Sequence, residues 1–267
     1  MEGRVLIVAG SDSGGGAGIQ ADLKTVTMLG GYAATAITAL TAQNTRGVHG
    51  VHPVPPAFLA QQMEVVLEDI GADCIKTGML HDMATIETVV TTKQRLARDV
   101  PLVVDPVMIA KGGAPLLQPD AIVALKLRLL PIASLITPNA PEAAALTGIS
   151  VETVDDLSRA ADYLLAAGAN AALIKGGHLP GHEVVDLLRT ADGEEYRFTG
   201  TRIESRSTHG TGCTLASAIA TGIAQGLRLV DAVERAHSYV RRAITFAPDL
   251  GSGHGPLNHA HLLEPDA

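Results

Sequence analysis

The stretch Ser207-Thr-His-Gly-Thr-Gly-Cys-Thr-Leu-Ala-Ser-Ala-Ile-Ala220 joins a glycine-rich turn directly to a run of small and apolar residues. Gly210 and Gly212 have no Cβ, so the backbone can turn sharply there and lie close to a ligand. The residues from Thr211 onward are typical of a helix, and the first N–H groups of a helix, together with its dipole, attract anions. The stretch therefore predicts an anion hole formed by Gly210, Thr211 and Gly212.

Cys213 falls in the first turn of this predicted helix. A helix start lowers the pKa of a thiol from about 8.5, so we expect a thiolate that can act as a base near neutral pH. The alternative is a glycine turn ahead of a buried helix, with Cys213 as a small core residue. The stretch alone leaves both interpretations open.

Two carboxylates follow predicted strands. Asp105 closes the apolar run Leu102-Val-Val, at the carboxyl edge where open α/β sheets bind their ligands. Glu142 follows the strand Ser134–Thr137 and Asn139. Asp105 and Glu142 together predict a site for Mg²⁺ and a nucleotide, since Mg²⁺ takes one or two protein carboxylates plus waters and phosphates. The alternatives are a turn-initiating aspartate and a helix capping box of Asn139 and Glu142.

Two further polar side chains stand at predicted strand ends. Lys175 closes the strand that starts at Ala171 and precedes Gly176 and Gly177, so its ammonium group either meets a phosphate or is simply solvated. Gln43 closes a strand rich in Thr and Ala. Its amide both donates and accepts hydrogen bonds, which suits either a heteroaromatic edge or the stabilisation of a turn.

Strand-length apolar runs alternate with helical patterns along the chain, beginning with Val5–Ala9 and a helix through about Leu29. This alternation predicts an α/β fold with a mostly parallel sheet covered by helices. Later predicted segments include an edge strand around 48–51, a helix over about 121–129, a hairpin of 183–190 and 195–203, helices over 211–225 and 230–247, and a mobile loop or tail motif at 251–255.

Motifs and charge argue against several function classes. The pattern Gly16-x-Gly18-x-x-Ala21 loosely matches a dinucleotide fingerprint, but no acidic residue lies between Asp22 and Glu64, where that fingerprint needs one. The P-loop pattern GxxxxGK[ST] does not occur in the sequence. A net charge of −8, with four Tyr, three Phe and no Trp, argues against a nucleic-acid-binding surface.

The two cysteines, Cys74 and Cys213, lie far apart in the sequence and show no metal-ligand spacing. This usage favours a reducing compartment, so we expect a cytoplasmic protein. The apolar run Val5–Ala9 is too short for a secretory or transmembrane segment, so we expect no membrane association.

With these residues assembled, the chain resembles the hydroxymethylpyrimidine/phosphomethylpyrimidine kinases of thiamine biosynthesis, which have the ribokinase-like fold. The resemblance implies one kinase domain over residues 1–267, in three α/β/α layers with a small β edge or lid element. It covers nearly the whole chain and rests on these motifs, in order: Ala9-Gly-Ser-Asp-Ser-Gly-Gly-Gly-Ala-Gly-Ile-Gln-Ala-Asp-Leu-Lys24, Thr38-Ala-Leu-Thr-Ala-Gln-Asn-Thr45, Lys76-Thr-Gly-Met79, Val104-Asp-Pro-Val-Met108, Thr137-Pro-Asn-Ala-Pro-Glu142, Lys175-Gly-Gly-His178 and His209-Gly-Thr-Gly-Cys-Thr214.

The resemblance implies a homodimeric enzyme that uses ATP and Mg²⁺ to phosphorylate 4-amino-5-hydroxymethyl-2-methylpyrimidine, and then the monophosphate to the diphosphate. Most of the wider ribokinase group has an Asp base at the position of Cys213, whereas the pyrimidine kinases usually have Cys. The residues implied for the other roles are Gln43 for the pyrimidine edge, with Gly10, Asp22, Met79 and Val107 lining its pocket; Asp105 and Glu142 for Mg²⁺; and Lys175 and Thr208 for the nucleotide.

Two alternative functions stay open. A pyridoxal or pyridoxine kinase acts on a similar hydroxymethyl heteroaromatic acceptor, and some of these relatives also carry Cys at the position of Cys213. A non-catalytic pyrimidine sensor is the alternative from a different class. A sensor would not need Cys213, Glu142, Asp105 and Lys175 together, which favours an enzyme.

Overall fold

The computed structural model of the protein describes residues 1–110 and 112–263. The first strand, β1 (Arg4–Asp12), is buried on both faces, which explains why the predicted strands are unbroken apolar runs. Leu6 and Val8 face one hydrophobic core, whereas Val5 and Ile7 face a second core on the opposite side of the sheet. Helices cover both faces, so the centre of the strand is apolar throughout, as in parallel sheets generally.

The parallel strands run in one direction and place their carboxyl ends at one edge of the sheet. The order across the sheet of the described chain is β3-β2-β1-β4-β5-β6-β7-β8-β9, with β3, β8 and β9 in antiparallel pairings. This arrangement confirms the mostly parallel sheet and the predicted hairpin. The strands after β1 are β2 (Tyr32–Asn44), β3 (Gly47–Pro53), β4 (Cys74–Thr77), β5 (Leu102–Val104), β6 (Leu135–Ile136), β7 (Ala171–Ile174), β8 (Glu183–Thr190) and β9 (Glu195–Thr201).

Helices cover the sheet on both sides, which confirms the three-layer α/β/α arrangement. In chain order they are α1 (Gly18–Met28), α2 (Pro56–Asp69), α3 (Met83–Leu96), α4 (Pro119–Ala124), α5 (Ala140–Thr147), α6 (Val154–Ala166), α7 (Thr211–Ala224) and α8 (Leu229–Thr245). Helices α1, α7 and α8 pack on one face, and α2 to α6 pack on the other. Within residues 1–110 and 112–263, none of the helices has the length and apolar character needed to cross a membrane. The predicted domain end at Ala267 lies outside the described residues.

The helix predicted over about 121–129 differs in the structure. It starts earlier, because Pro119 suits the first turn of a helix, and its regular part ends at Ala124. Residues 125–129 continue as a π-helical turn, and Pro131 lies in the short 3₁₀ turn that follows. Proline has no N–H group to continue the helical hydrogen bonds, so the helical segment ends there.

The segment around Gly251–Gly255, predicted as a mobile loop or tail motif, is hydrogen-bonded to two distant parts of the chain. The backbone N–H of His254 donates to the Thr45 carbonyl at 2.8 Å, and the N–H of Gly253 lies 3.3 Å from Thr45 Oγ1. The Gly255 carbonyl accepts a 3.0 Å hydrogen bond from the N–H of His209. The segment thus joins the β2–β3 turn to the turn that precedes α7.

Candidate active site

A cavity of about 670 Å³ opens at the carboxyl ends of the parallel strands. Its walls include residues at or just after the carboxyl ends of β1, β2, β4, β5, β6 and β7. Asp22 is the one predicted site residue that does not line it. The predicted residues that do are Gly10, Gln43, Met79, Asp105, Val107, Glu142, Lys175, Thr208, Gly210, Thr211, Gly212 and Cys213.

The predicted anion hole lies where α7 begins. Gly210 precedes the helix with a φ of +83°, a left-handed conformation that glycine adopts at little steric cost. A Cβ on Gly210 would lie 1.9 Å from the carbonyl oxygen of Gly16, so the two glycine turns pack too closely for a side chain. A Cβ on Gly212 would lie 3.2 Å from Lys175 Nζ and 3.8 Å from Asp105 Oδ2. The first turn of α7 therefore lies directly against an ion pair.

The glycine-rich loop after β1 is hydrogen-bonded to Asp12, the last residue of that strand. The backbone N–H groups of Gly14, Gly16 and Ala17 donate to the Asp12 carboxylate at 2.8 to 3.1 Å, and His209 Nε2 lies 2.8 Å from it. Burial alone would raise the pKa of Asp12, but the His209 ring and the loop N–H groups outweigh it and lower the pKa. These three N–H groups are therefore already hydrogen-bonded within the protein.

Gln43 lines the cavity beside a register shift between β2 and β3. Its Nε2 lies 3.3 Å from His209 Nε2, and its Oε1 accepts a 3.2 Å hydrogen bond from Thr41 Oγ1. Its backbone N–H donates to Ser13 Oγ, which in turn donates to its carbonyl. The amide is therefore held by the strand and by the turn before α7 while it faces the cavity.

Lys175 and Asp105 form an ion pair at the ends of β7 and β5. Lys175 Nζ lies 3.2 Å from Asp105 Oδ1, and Thr137 Oγ1 approaches the same oxygen at 3.4 Å. Burial alone would lower the pKa of Lys175, but Asp105 and Glu142 raise it. Among the described residues, Asp105 Oδ2 is buried and has no hydrogen-bond partner. A buried carboxylate oxygen beside a cavity and without a partner suits a cation or a donor from a ligand.

The capping-box alternative for Glu142 is confirmed, while its role toward Mg²⁺ stays a prediction. It forms the capping box of α5, because its N–H donates to Asn139 Oδ1 at 2.9 Å and its Oε2 accepts from the Asn139 N–H at 2.8 Å. It also lines the cavity. Burial raises the pKa of Glu142 to about 7, with Lys175 opposing the rise and Asp105 adding to it. Its charge therefore responds to any cation that arrives nearby.

The carboxylates fit a Mg²⁺ ion that arrives with a nucleotide. The part of the chain that the structure describes contains no group of three or more His, Cys, Asp or Glu side chains placed to hold a metal. Mg²⁺ does not require such a cage, since one or two carboxylates suffice when waters and phosphates complete its shell. The free Oδ2 of Asp105 and the buried Glu142 match that donor set.

The helix start at Cys213 is as predicted, but the expected lowering of its pKa is wrong. The thiol lies in the first turn of α7 and lines the cavity. Burial raises the pKa of Cys213 to about 12, which outweighs the lowering by Lys76 and by the Gly18 N–H. Desolvation dominates over the helix start, so the thiol is protonated at neutral pH unless more positive charge binds nearby.

The predicted lining position of Asp22 is corrected by the structure. Asp22 is fully buried in α1, and its two carboxylate oxygens lie 2.9 and 3.0 Å from Lys76 Nζ. Ser217 Oγ of α7 donates a further hydrogen bond of 2.6 Å to Asp22 Oδ1. The cavity wall here is formed by Lys76 instead.

The hairpin β8–β9 and α8 supply another part of the cavity wall. Asp186 of β8 accepts a 2.7 Å hydrogen bond from the N–H of Gly176, directly after Lys175. The second oxygen of Asp186 lies 3.1 Å from Nε2 of His237, whose ring stacks on Phe198. These contacts fix the backbone that carries Lys175.

A model of the family described as "Phosphomethylpyrimidine kinase" matches residues 12–258 of the chain. The chain belongs to the phosphomethylpyrimidine kinase family. It is 54% identical over 263 residues to the thiamine biosynthesis bifunctional protein ThiED of Geobacter sulfurreducens, in an alignment that covers 98% of this chain and 53% of that protein. The chain therefore spans about half the length of that relative. It is 49% identical to the hydroxymethylpyrimidine/phosphomethylpyrimidine kinase of Streptomyces coelicolor, over 97% of this chain and 95% of that protein.

A solved structure supports the same fold for this family member. The ADP complex of Bacillus subtilis pyridoxal kinase superimposes with a TM-score of 0.90 at 35% identity, and the match covers 99% of this chain and 100% of that chain. The ribokinase-like architecture expected from the sequence is thereby confirmed.

Sequence reasoning gave no role to three residues within the family motifs, Asp12, Lys76 and His209. Asp12 and His209 stand beside glycine turns, and Lys76 is a single charge within the buried strand β4. A buried charge needs a partner or a function. That isolated charge was the signal in the sequence that could have identified Lys76.

Proposed function

We propose that this protein transfers the γ-phosphoryl group of ATP to 4-amino-5-hydroxymethyl-2-methylpyrimidine and then to the resulting monophosphate, giving the diphosphate for thiamine biosynthesis. The observation that carries the proposal is the meeting of Lys175, Asp105, Gly212 and Cys213 at one cavity wall. Phosphoryl transfer requires mainly alignment of donor and acceptor and neutralisation of the moving charge. Lys175, the start of α7 and the Mg²⁺ that Asp105 would hold supply that neutralisation.

The nucleotide end of the site is assigned to Lys175, Thr208 and the first turn of α7. The ammonium group of Lys175 and the N–H groups at the helix start stabilise negative charge on the transferred phosphoryl group. Asp105 and Glu142 would hold Mg²⁺, which when bound neutralises charge on the phosphates of ATP.

The acceptor end is assigned to Gln43, with Gly10, Met79 and Val107 around the ring. Gln43 offers a donor and an acceptor to the pyrimidine edge. Gly10 leaves room there, because a Cβ on it would lie 3.0 Å from Met79 Sδ.

Cys213 is assigned as the base of the first phosphorylation. The substrate hydroxyl oxygen forms a bond to the γ-phosphorus as the bond from that phosphorus to the β,γ-bridging oxygen breaks, and the electron pair of the broken bond leaves with ADP. The hydroxyl proton passes to the Cys213 sulfur, which accepts it only as a thiolate, the form that positive charge near the sulfur favours. In the second phosphorylation the acceptor phosphate is already anionic at neutral pH, because its second pKa is about 6, so little proton abstraction remains.

A coupled assay of ADP release tests the proposal. Purified protein is given ATP, Mg²⁺ and in turn the hydroxymethylpyrimidine, its monophosphate, and pyridoxal. We expect turnover with both pyrimidines. Tight pyrimidine binding without ADP release would contradict the proposal and favour a sensor.

Pyridoxal phosphorylation is the second candidate activity. It is favoured by the TM-score of 0.90 to a pyridoxal kinase along the full length of this chain. Both acceptors present a hydroxymethyl group on a heteroaromatic ring. Turnover of pyridoxal with a higher kcat/KM than either pyrimidine would make it the principal activity.

We also infer one domain over residues 1–267, a homodimer and a cytoplasmic location. Two hydrophobic cores share one sheet, which supports a single domain.

Self-association is supported by exposed apolar side chains on neighbouring elements: Tyr32, Leu40, Val51 and Phe58. The free thiol of Cys213 suits a reducing compartment. Sedimentation velocity tests the dimer, and a monomer at micromolar concentration would contradict it.

A further inference from the structure

Helix α7, whose first turn forms the predicted anion hole, begins at a glycine. Gly210 is its N-cap residue, so it has no side chain to accept from the first N–H groups. Helices α3, α5 and α6 are instead capped by Asp82, Asn139 and Thr153. A glycine cap leaves the first N–H groups of α7 for an anion, but it also removes a contact that often fixes a helix start. Another part of the chain has to hold this turn.

The segment of residues 255–261 contacts the start of α7 at two points. Before the helix, the Gly255 carbonyl accepts a 3.0 Å hydrogen bond from the N–H of His209. Within the helix, Thr214 Oγ1 lies 2.9 Å from Nε2 of His259, and both side chains of this contact are buried. The segment therefore holds α7 on both sides of its first turn.

The hydroxyl group of Thr214 is bonded differently from those of several other helical threonines in this protein. Their hydroxyl groups donate to the carbonyl four residues earlier in the same helix, as at Thr25, Thr88, Thr147, Thr221 and Thr245. For Thr214 that carbonyl belongs to Gly210, and it accepts the Thr214 N–H at 2.9 Å. The Thr214 hydroxyl is hydrogen-bonded to His259 instead, so it joins α7 to a distant segment.

His259 is itself anchored to α8 and uncharged. Its carbonyl accepts a 2.7 Å hydrogen bond from the hydroxyl of Tyr239, and the neighbouring Asn258 N–H donates to the Ala243 carbonyl at 3.0 Å. Burial lowers the pKa of His259 to about 4. A neutral imidazole can hydrogen-bond the Thr214 hydroxyl without bringing a charge next to α7. The contact is therefore unchanged by titration near neutral pH.

The first turn of α7 needs an accurate position because it lies against the Lys175–Asp105 pair. A Cβ on Gly212 would lie 3.2 Å from Lys175 Nζ and 3.8 Å from Asp105 Oδ2. Phosphoryl transfer depends on alignment, and a misplacement of about 1 Å can cost roughly 100-fold in rate. His259 is not among the described residues of the cavity wall, so it can affect the reaction only through this turn.

We propose that His259 is a positioning residue for the anion hole: through the Thr214 hydroxyl it fixes the first turn of α7 against Lys175 and Asp105. This inference rests on the proposed function, in which both phosphorylations use that turn. His259 touches neither substrate nor phosphate and accepts no proton in the reaction. Its loss should therefore slow both phosphorylations alike, whereas the loss of Cys213 should slow mainly the first.

The kinetic test removes each partner of the contact in turn. His259→Leu and Thr214→Val keep roughly the volume of the side chain but cannot form the hydrogen bond. We expect kcat to fall by about tenfold or more with both the pyrimidine and its monophosphate, while the pyrimidine KM stays within about twofold of wild type. The double variant should be no slower than either single variant, since both substitutions remove the same contact. His259→Gln should restore most of the rate, because its amide can replace the Nε2 contact.

The matched control is His261→Leu, which removes another buried histidine of the same segment. The His261 ring packs on Tyr239 of α8 with the ring centroids 4.8 Å apart, and its Nδ1 lies 2.9 Å from the Asn258 carbonyl. These contacts are to α8 and to the segment itself. We expect His261→Leu to lower the melting temperature as His259→Leu does, but to keep the wild-type kcat below that temperature.

A second measurement is independent of the substrate. Hydrogen–deuterium exchange of peptides covering residues 209–217, followed by mass spectrometry in the ligand-free protein, reports how often the hydrogen bonds at the start of α7 open. We expect exchange about fivefold faster in His259→Leu and Thr214→Val, the factor that corresponds to the net loss of one ordinary hydrogen bond. His261→Leu should exchange at the wild-type rate in these peptides.

Two results would overturn the proposal. One is a wild-type kcat with both substrates, or wild-type exchange at the start of α7, in folded Thr214→Val. The other is an equal fall of kcat in His261→Leu, which would mean that the segment acts through overall stability alone. Absence of pyrimidine turnover in the wild-type protein would contradict the proposed function, while the exchange rates would still decide whether His259 fixes α7.

Discussion

Two lysine–aspartate pairs lie beside the first turns of α7, and they differ in how completely their carboxylates are hydrogen-bonded. In the closed pair, Lys76 and Asp22, both side chains are fully buried and both Asp22 oxygens have partners. In the open pair, Lys175 and Asp105, the lysine is 13% exposed. Among the described residues, Asp105 Oδ2 has no partner.

This difference supports the proposed ligand-binding role of the open pair and a purely electrostatic role for the closed pair. A buried polar atom without a partner is costly, so the open pair gains when a cation or donor binds Asp105. The closed pair is complete within the protein and can influence a ligand only through its field. The residue types are the same in both pairs, so the number of partners decides the role.

The largest expected contrast is in stability. Asp22→Asn leaves Lys76 buried without its counter-charge, and we expect a loss of about 3–5 kcal/mol in the free energy of unfolding. Asp105→Asn should cost about 1 kcal/mol or less, because Lys175 is partly exposed and keeps Glu142 as a nearby carboxylate. The substitution also removes the repulsion between Asp105 and Glu142. Urea denaturation of both variants measures the difference. Equal losses would remove the distinction between the open and closed pairs.

The second prediction concerns the thiol beside the closed pair. Cys213→Ala should slow phosphorylation of the hydroxymethylpyrimidine by about 10²–10³-fold, in the range of general base catalysis. Phosphorylation of the monophosphate should fall by less than about tenfold, because that acceptor is already anionic. Single-turnover rates for the two substrates give the comparison.

Equal losses in both reactions would show that the substitution disturbed the anion hole of α7. Full retention of the first reaction would remove Cys213 from the mechanism. Melting temperature is the control here, since Cys213→Ala removes only one sulfur atom from the wall of an open cavity.

The sequence was sufficient for the features that follow from local backbone rules. Asp105 and Lys175 meet because parallel strands end at one edge of the sheet, and the start of α7 follows from Gly210. The protonation of Cys213 could not be predicted, because burial depends on how distant segments pack and here it outweighs the helix start. The position of Asp22 could not be predicted for a similar reason, since its carboxylate in α1 is paired with a lysine of strand β4, far away in the sequence.

The third prediction tests whether the acceptor end of the cavity binds its substrate independently of the open pair. Gln43→Ala should weaken pyrimidine binding by about 1–3 kcal/mol, because a buried heteroaromatic edge loses its amide partner. The KM for ATP should stay near the wild-type value, since Gln43 contacts His209 and Thr41 rather than Lys175 or Asp105. Steady-state kinetics with each substrate varied in turn measure both constants. An unchanged pyrimidine KM would make Gln43 a structural turn residue.

The smallest expected effect is a pH dependence of stability that originates at Glu142, beside the open pair. Burial raises the pKa of Glu142 from 4.5 to about 7, with Lys175 opposing and Asp105 adding to the rise. Between these two values the folded state binds more protons than the unfolded state, so the free energy of unfolding falls as the pH rises through this window. At 1.36 kcal/mol per pKa unit the full shift would correspond to about 3 kcal/mol. We expect about 1–2 kcal/mol, because the carboxylate lines an open cavity where solvent screens its charge.

Glu142→Gln tests this effect, because glutamine keeps the capping box with Asn139 but does not titrate. Urea denaturation of both proteins without ligands is repeated from about pH 4.5 to above pH 7, the limits set by the two pKa values. The free energy of unfolding of wild type minus that of the variant should decline with rising pH. Saturating Mg²⁺ and ATP should reduce the decline, since a cation beside Glu142 favours its ionised form. A difference that does not change with pH would mean that Glu142 is already ionised in the ligand-free protein. Two ionised carboxylates, Asp105 and Glu142, would then lie beside Lys175 before any cation binds.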